Sequence, residues 1–260
     1  MADINKITEI DTSSLSKINN VDMSDINKIG NDVIPPPVPP YLGVTHLLMH
    51  YDGGSLSEVY TDSSPDNNTI TNVNNCQQLI NQKKFGVTSG RFTSSSDYLQ
   101  ISTPSWTWGN SDFTADCWMF ASGNMSTLLG WPWGDYVAGN NNSVSLEWYL
   151  GVPIANFNLQ GGQNCLVNWP GSAVSYGVFH HIAIERYDGY VKLYVNGTSV
   201  GTPYNVGTST IQVGSGDFRI CGDPDGGVNY HDGYMDEFRI HIGEAVFKGN
   251  FAVPTSPYTN

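Results

Sequence analysis

The chain has 260 residues, 39% of them hydrophobic and only 13% charged, with a formal net charge of −13. Eleven Lys plus Arg against 24 Asp plus Glu leave no phosphate-neutralising surplus, which argues against nucleic acid or an anionic membrane surface as a partner. No apolar run approaches the roughly 20 residues of a spanning helix, and low charge with 28 Gly and 14 Tyr fits an all-β domain with long polar loops.

The N-terminus, Met1-Ala2-Asp3-Ile4-Asn5-Lys6, lacks the basic and apolar regions of a secretion signal, so the expectation is synthesis in a cytoplasm without signal-peptide export. An eleven-residue repeat follows. Ile4, Leu15 and Ile26 align, as do Lys6, Lys17 and Lys28, and Ile7, Ile18 and Ile29. Such a period can specify a right-handed supercoil. Here Asn, Asp and Ser break the units, which predicts single helical turns capped by Asp3, Ser14 and Asp25. Three such units bury little by themselves, so residues 1–34 are expected to be a docking arm ordered by a partner chain. The alternative is a loose tail. Residues 35–42, with Pro35-Pro36-Pro37-Val38-Pro39-Pro40, read as an extended polyproline spacer.

Residues 43–260 carry the strand signals. Leu47, Met49 and Tyr51 alternate with Leu48 and His50 before Asp52-Gly53-Gly54 ends the run. Residues 84–120 read as several strands. Residues 121–178 are the least regular part, with long polar loops and four of the seven tryptophans. In 179–197, Ile182 and Ile184 alternate with Ala183 and Glu185, Asp188-Gly189 forms a tight turn, Val191, Leu193 and Val195 alternate again, and Asn196-Gly197 makes a second turn. Alternation bounded by Asp-Gly and Asn-Gly predicts consecutive hairpins. Residues 218–242 supply the closing strands. Cys117 and Cys221 are expected to be small buried hydrophobes, Cys76 and Cys165 to lie in loops; the spacing does not suggest zinc, and the expected cytoplasmic synthesis argues against a disulfide framework.

These residues carry a resemblance. Phe179-His180-His181-Ile182-Ala183 with the Asp188-Gly189 turn resembles the central hairpin of laminin-G-like domains of the concanavalin A-like lectin/glucanase superfamily. Phe179 stands where that family usually has Trp, and Asn196 where it often has Asp. Cys117-Trp118 is similar to its opening strands, and Gly233-Tyr234-Met235-Asp236-Glu237-Phe238-Arg239 to its closing strand. The resemblance implies an all-β jelly-roll sandwich, preceded here by the arm and spacer. The ending, with Asn250-Phe251 and Pro257-Tyr258, and the arm both resemble segments of bacteriophage virion proteins.

A glycosidase needs two carboxylates on one face, at i and i+2 on a strand. Asp236 and Glu237 are adjacent and are expected to point to opposite faces, and Pro224 between Asp223 and Asp225 argues for a turn. No nucleophile-elbow pattern occurs. The reading is therefore non-enzymatic. His180 and His181 are expected to be structural, one towards the core and one towards solvent, and Asp236 to bond backbone amides. The resemblance implies Ca²⁺, and the Asp223-Pro224-Asp225 loop offers hard oxygen ligands for it; the alternative is a solvated Asp-rich turn. Trp131, Trp133, Tyr136, Trp148 and Trp169 are the carbohydrate-binding candidates, since aromatic platforms stack on sugar faces; the alternative is packing beneath their own loops.

The expectation is a phage virion surface protein, a head decoration or tail fibre, made in the host cytoplasm and displaying a lectin-like domain to host-surface glycans. Its arm would dock on other virion proteins (capsid, portal or tail), as a homo-oligomer on the particle, without nucleic acid or membrane insertion. A purely structural decoration subunit is the alternative, and a glycan hydrolase the third reading.

Overall fold

The computed structural model describes Lys17–Ile18, Val21–Asp22 and residues 43–93, 96–122, 125–131, 144–149, 152–160, 163–168, 174–211, 216–222 and 231–259. Contacts divide the chain into two units, Met1–Leu42 and Gly43–Asn260. In the first, β1 (Lys17–Ile18) and β2 (Val21–Asp22) pair antiparallel, with Ile18 opposite Val21. These four residues of the second repeat are thus extended, where the sequence reading placed a helical turn after Ser14. β-branched residues on both sides of the pairing favour the extended backbone over a single turn. The other arm residues singled out, Ile4, Lys6, Ile7, Leu15, Ile26, Lys28 and Ile29, lie outside the described residues.

The second unit is all β, and among the described residues no helix is long and apolar enough to cross a membrane. One sheet contains β5 (Gln77–Leu79), β6 (Ser89–Phe92), β17 (Gly233–Ile242), β8 (Phe113–Ala121), β13 (Phe179–Tyr187), β14 (Tyr190–Val195) and β15 (Thr198–Asn205) in that spatial order, with β3 (Val44–Met49) also paired to β17. The other runs β4 (Thr71–Val73), β7 (Tyr98–Ile101), β16 (Phe218–Ile220), β9 (Met125–Trp131), β10 (Val144–Tyr149), β11 (Val152–Leu159), β12 (Gln163–Asn168). All the pairings are antiparallel.

Alternation builds the core. Phe113, Ala115, Cys117 and Met119 of β8, Ile182 and Ile184 of β13, and Leu193 of β14 meet Leu146, Phe157, Phe218 and Ile220 of the facing sheet. Cys117 and Cys221 are buried there as expected. Cys165 is also buried, in strand β12 rather than in a loop, and Cys76 is fully buried. Four strands, β9 to β12, run through the region expected to be mostly loops. Its Asn- and Gly-rich composition reads as loop, which hid them.

The predicted turns form as read. Asp188 and Gly189 take φ of 51° and 74°, and Asn196 and Gly197 take 50° and 78°, the left-handed pairs that two-residue hairpin turns require. Gly197 is needed twice over, since a Cβ there would collide with the carbonyl oxygen of Phe251. Asn196 also accepts from the His181 amide (3.0 Å) and places its Nδ2 2.9 Å from His180 Nδ1.

The outer face of the β8–β13–β17 region is not open to water. The segment after β17 crosses it, held by amide donors: Val246 N to Thr114 Oγ1 (2.9 Å), Phe247 N and Lys248 N to the two oxygens of Glu185 (2.7 and 2.8 Å), and Tyr258 N to Glu237 Oε2 (2.8 Å). Leu48, Trp118 and Tyr258 form a second apolar cluster under it, with Phe85, Phe179 and Val253 packed alongside.

Candidate functional site

The structure brings few of the sequence-predicted site residues into view. Trp131 closes β9 opposite Val144, and Trp148 lies in β10 between Ser126 and Pro153. Trp133, Tyr136, Trp169, Asp223 and Asp225 lie outside the described residues. Among the described residues, no three His, Cys, Asp or Glu side chains gather to hold a metal ion.

The buried acids of the sandwich are committed to partners within the chain. Asp116 takes Arg239 bidentately (2.9 and 3.0 Å) and lies 3.2 Å from His181 Nε2. Burial opposes its ionisation, but the Arg239 guanidinium and His181 prevail and hold its carboxyl down at about 2. Glu185 accepts the two tail amides and the Thr114 hydroxyl, and burial pushes its carboxyl up against those bonds. Asp62 accepts from the amides of Leu48, Ser64 and Asn68.

Asp236 and Glu237 do not point to opposite faces. Glu237 takes φ of 50° in a bulge of β17, so that Met235 and Phe238 both enter the core and both acids lie between them. Asp236 accepts from Lys84 N (2.7 Å) and Phe85 N (3.0 Å), the amide-binding role read from the sequence. Burial, reinforced by the nearby Glu237 and Asp52 charges, pushes its carboxyl up to about 7 against those two bonds. Glu237 accepts from Tyr258 N and pairs with His50 Nδ1 (2.9 Å), whose hydrogen bond raises the His50 pKa above its ordinary value. Both acids are fully buried. The histidine expectation is corrected as well: His180 and His181 are both buried, and neither faces solvent. His181 Nε2 lies 2.9 Å from Tyr258 Oη beneath the tail.

Among the described residues, clefts open to the surface, and three of them bear on binding. One of about 190 Å³ adjoins His50, Asp52 and Gln78. Two of its polar side chains are committed: Gln78 bonds Gly53 N and Val59 O, and Asp52 accepts from Val87 N and Thr88 N. Another, of about 320 Å³, runs from Asn68 to Ser105 and is rich in hydroxyls but has no aromatic ring in its wall. The third, of about 340 Å³, lies at the tip of the β13–β14 hairpin and is lined by Tyr187, Asp188, Tyr190, Lys192 and Pro203. Tyr187 and Tyr190 stand directly opposite each other across the Asp188-Gly189 turn. The pair was legible in the sequence, because aromatics that flank a two-residue turn become cross-strand neighbours.

This third cleft is braced. The Gly189 carbonyl accepts from Val206 N (2.8 Å) and Gly207 N (3.0 Å). Buried Arg186 donates to Gly207 O and Ser209 O (both 2.9 Å) and to Gly109 O (3.2 Å). The β14–β15 register shifts between Val191–Tyr204 and Leu193–Val200, so Gly201, Thr202 and Pro203 stand against Lys192 alone. That bulge, with Gly201 at φ 71°, puts Pro203 beside the tyrosines.

Solved structures share the architecture. The binding domain of Paraclostridial Mosquitocidal Protein 1 superposes with a TM-score of 0.59 at 13% identity, over 79% of this chain and 50% of that one. Domain 4 of AbnA, an extracellular arabinanase of Geobacillus stearothermophilus solved with arabinotriose, gives 0.52 at 16%, over 79% and 95%. The botulinum neurotoxin serotype D ligand-binding domain, solved with N-acetylneuraminic acid, gives 0.55 at 13%, over 78% and 48%. The chain spans about half the length of the mosquitocidal and neurotoxin domains, and at these identities the likeness is one of fold. No curated protein matches the chain significantly. A family model for the concanavalin A-like lectin/glucanases superfamily matches residues 93–244, more than half of the sequence, and with the two-sheet sandwich described above the chain belongs to that superfamily.

Proposed function

We propose that the protein is a non-enzymatic surface component of a bacteriophage virion, a head decoration or tail fibre, whose lectin-like sandwich adheres to host-surface glycans. One observation carries the binding reading over hydrolysis. Among the described residues, the buried acids of the sandwich are spent on the chain's own amides and cations, and Asp236 and Glu237, the one adjacent pair, are sealed from solvent. A glycosidase needs two carboxylates reachable by a scissile bond. The lectin-like fold, and the binding domains among its structural neighbours, support the same reading.

The phage context is supported by the arm with its eleven-residue repeat and by the proline spacer, which fit docking on other virion proteins. Trp131, Trp133, Tyr136, Trp148 and Trp169 remain the proposed aromatic contacts, with Ca²⁺ at Asp223 and Asp225. The test is a glycan array probed with the full-length chain, run in calcium and in chelator, alongside immunolabelling of purified particles. Glycan retention without turnover of a labelled polysaccharide, and labelling of the particle surface, are expected. Release of labelled fragments would restore the hydrolase, and label confined to the lysate would remove the virion role.

A further inference from the structure

We propose that the cleft at the β13–β14 tip is a binding site for neutral pyranose glycans, with a sugar face laid on Tyr187 and Tyr190. The proposal rests on the glycan-binding reading above and names a place for it that none of the tryptophan positions includes. A pyranose presents one face of apolar C–H groups and a rim of hydroxyls. The cleft presents the complement: two adjacent phenol rings and a proline ring as the apolar wall, with the Asp188 carboxylate and the Lys192 ammonium at its edge. A carboxylate can accept from two neighbouring hydroxyls, and an ammonium donates to a third oxygen. Tyr190 is 41% exposed, and among the described residues no hydrogen bond engages the Tyr187 or Tyr190 hydroxyl or Lys192 Nζ.

Two features mark the cleft as built. The bulge in β15 spends three residues against one to place Pro203 there, and bulges re-aim side chains at functional rims. The turn is locked from beneath by the Gly189 carbonyl and by the three backbone carbonyls that Arg186 holds. A fixed platform lowers the ordering cost of binding, and tyrosine has few torsions to freeze.

Charge selects neutral over acidic sugars. Lys192 stands directly opposite the buried Glu185, and Asp188 occupies the rim. An anionic sugar would therefore meet the Asp188 carboxylate beside an ammonium whose charge the neighbouring Glu185 already offsets, on a protein of net charge −13.

The experiment titrates the full-length chain by calorimetry with gluco-, manno- and galactotetraose, and with an oligogalacturonate as the acidic probe. The variants are Tyr190→Ala, Tyr187→Ala, Lys192→Gln and, for comparison, Trp131→Ala with Trp133→Ala. At least one neutral oligosaccharide is expected to bind more tightly than the acidic probe. Tyr190→Ala is expected to weaken that binding tenfold or more and Lys192→Gln about threefold, each with an unchanged melting temperature. If a tyrosine variant loses stability, Lys192→Gln, on a half-buried side chain, still decides. Unchanged affinity in all three cleft variants would overturn the cleft while leaving glycan binding standing, most directly if the tryptophan variant lost it. Preference for the acidic probe would overturn the ligand class. Failure of the wild-type chain to bind any oligosaccharide, in the titration and on the array, would overturn both readings.

Discussion

Asp236 shows how one buried group can tie stability to pH. Its carboxyl is raised to about 7, chiefly by burial. A carboxyl whose folded pKa lies above its unfolded value, about 4, binds more protons folded than unfolded. Its contribution is complete below the unfolded pKa and is lost as the pH rises towards 7. His50, raised by its bond to Glu237, acts in the same direction: its contribution is present below about 6.5 and lost as the pH rises through its folded pKa. The junction of β3, β17 and the tail should therefore favour mild acidity. Asn at position 236 can still accept from Lys84 N and Phe85 N without titrating. Asp236→Asn is expected to melt near the wild type at pH 5 and to gain roughly 1–3 kcal/mol on it at pH 8. Equal differences from wild type at both pH values would show that the two amide bonds keep Asp236 ionised throughout.

At the scale of elements, β13 carries two kinds of stabilisation on its two faces. Ile184 is 1% exposed and sits in the main core, while its neighbour Glu185 is fully buried under the tail. Ile184→Ala removes core volume and should cost about 2–5 kcal/mol in a cooperative denaturant melt. Glu185→Ala leaves the Phe247 and Lys248 amides without their acceptor and should cost about 1–3 kcal/mol. It should also expose the 246–251 segment to protease well below the global transition; intact protection of that segment would mean that Phe251, Tyr258 and their neighbours hold the tail unaided.

The same strand shows what the sequence could reveal. Alternation and the Asp-Gly and Asn-Gly turns made the hairpins legible, because hairpin geometry is local. Thr114, Asp116, His181 and Glu185 form the polar row on the face of these strands away from the main core, and they are buried because a segment more than 60 residues further on in the chain covers them. No local pattern encodes that cover. The bulge at Glu237 likewise escaped a strict period-two reading. The Tyr187–Tyr190 pair was encoded locally, but the Pro203 wall came from a register shift that the sequence does not announce.

For the whole molecule, the question is whether the arm and the sandwich are separable in stability and in function. The core residues among the described ones all lie at or beyond Leu47, and the first strand of the sandwich begins at Val44. The closing cover comes from the opposite end of the chain, through Val246 to Tyr258. A sandwich sealed by its own C-terminal segment is expected to fold without residues 1–40, whose apolar repeat is left, under the proposed role, for a partner. Deletion of residues 1–40 is therefore expected to leave the cooperative melt within about 1 kcal/mol of the full chain, and to leave the Tyr190-dependent glycan affinity intact. Under the proposed virion role, it should abolish co-purification with particles. Loss of the cooperative transition would place the arm in the folding unit. A truncated chain that still co-purified with particles would move docking onto the sandwich itself, leaving the arm without the task its repeat was read to serve.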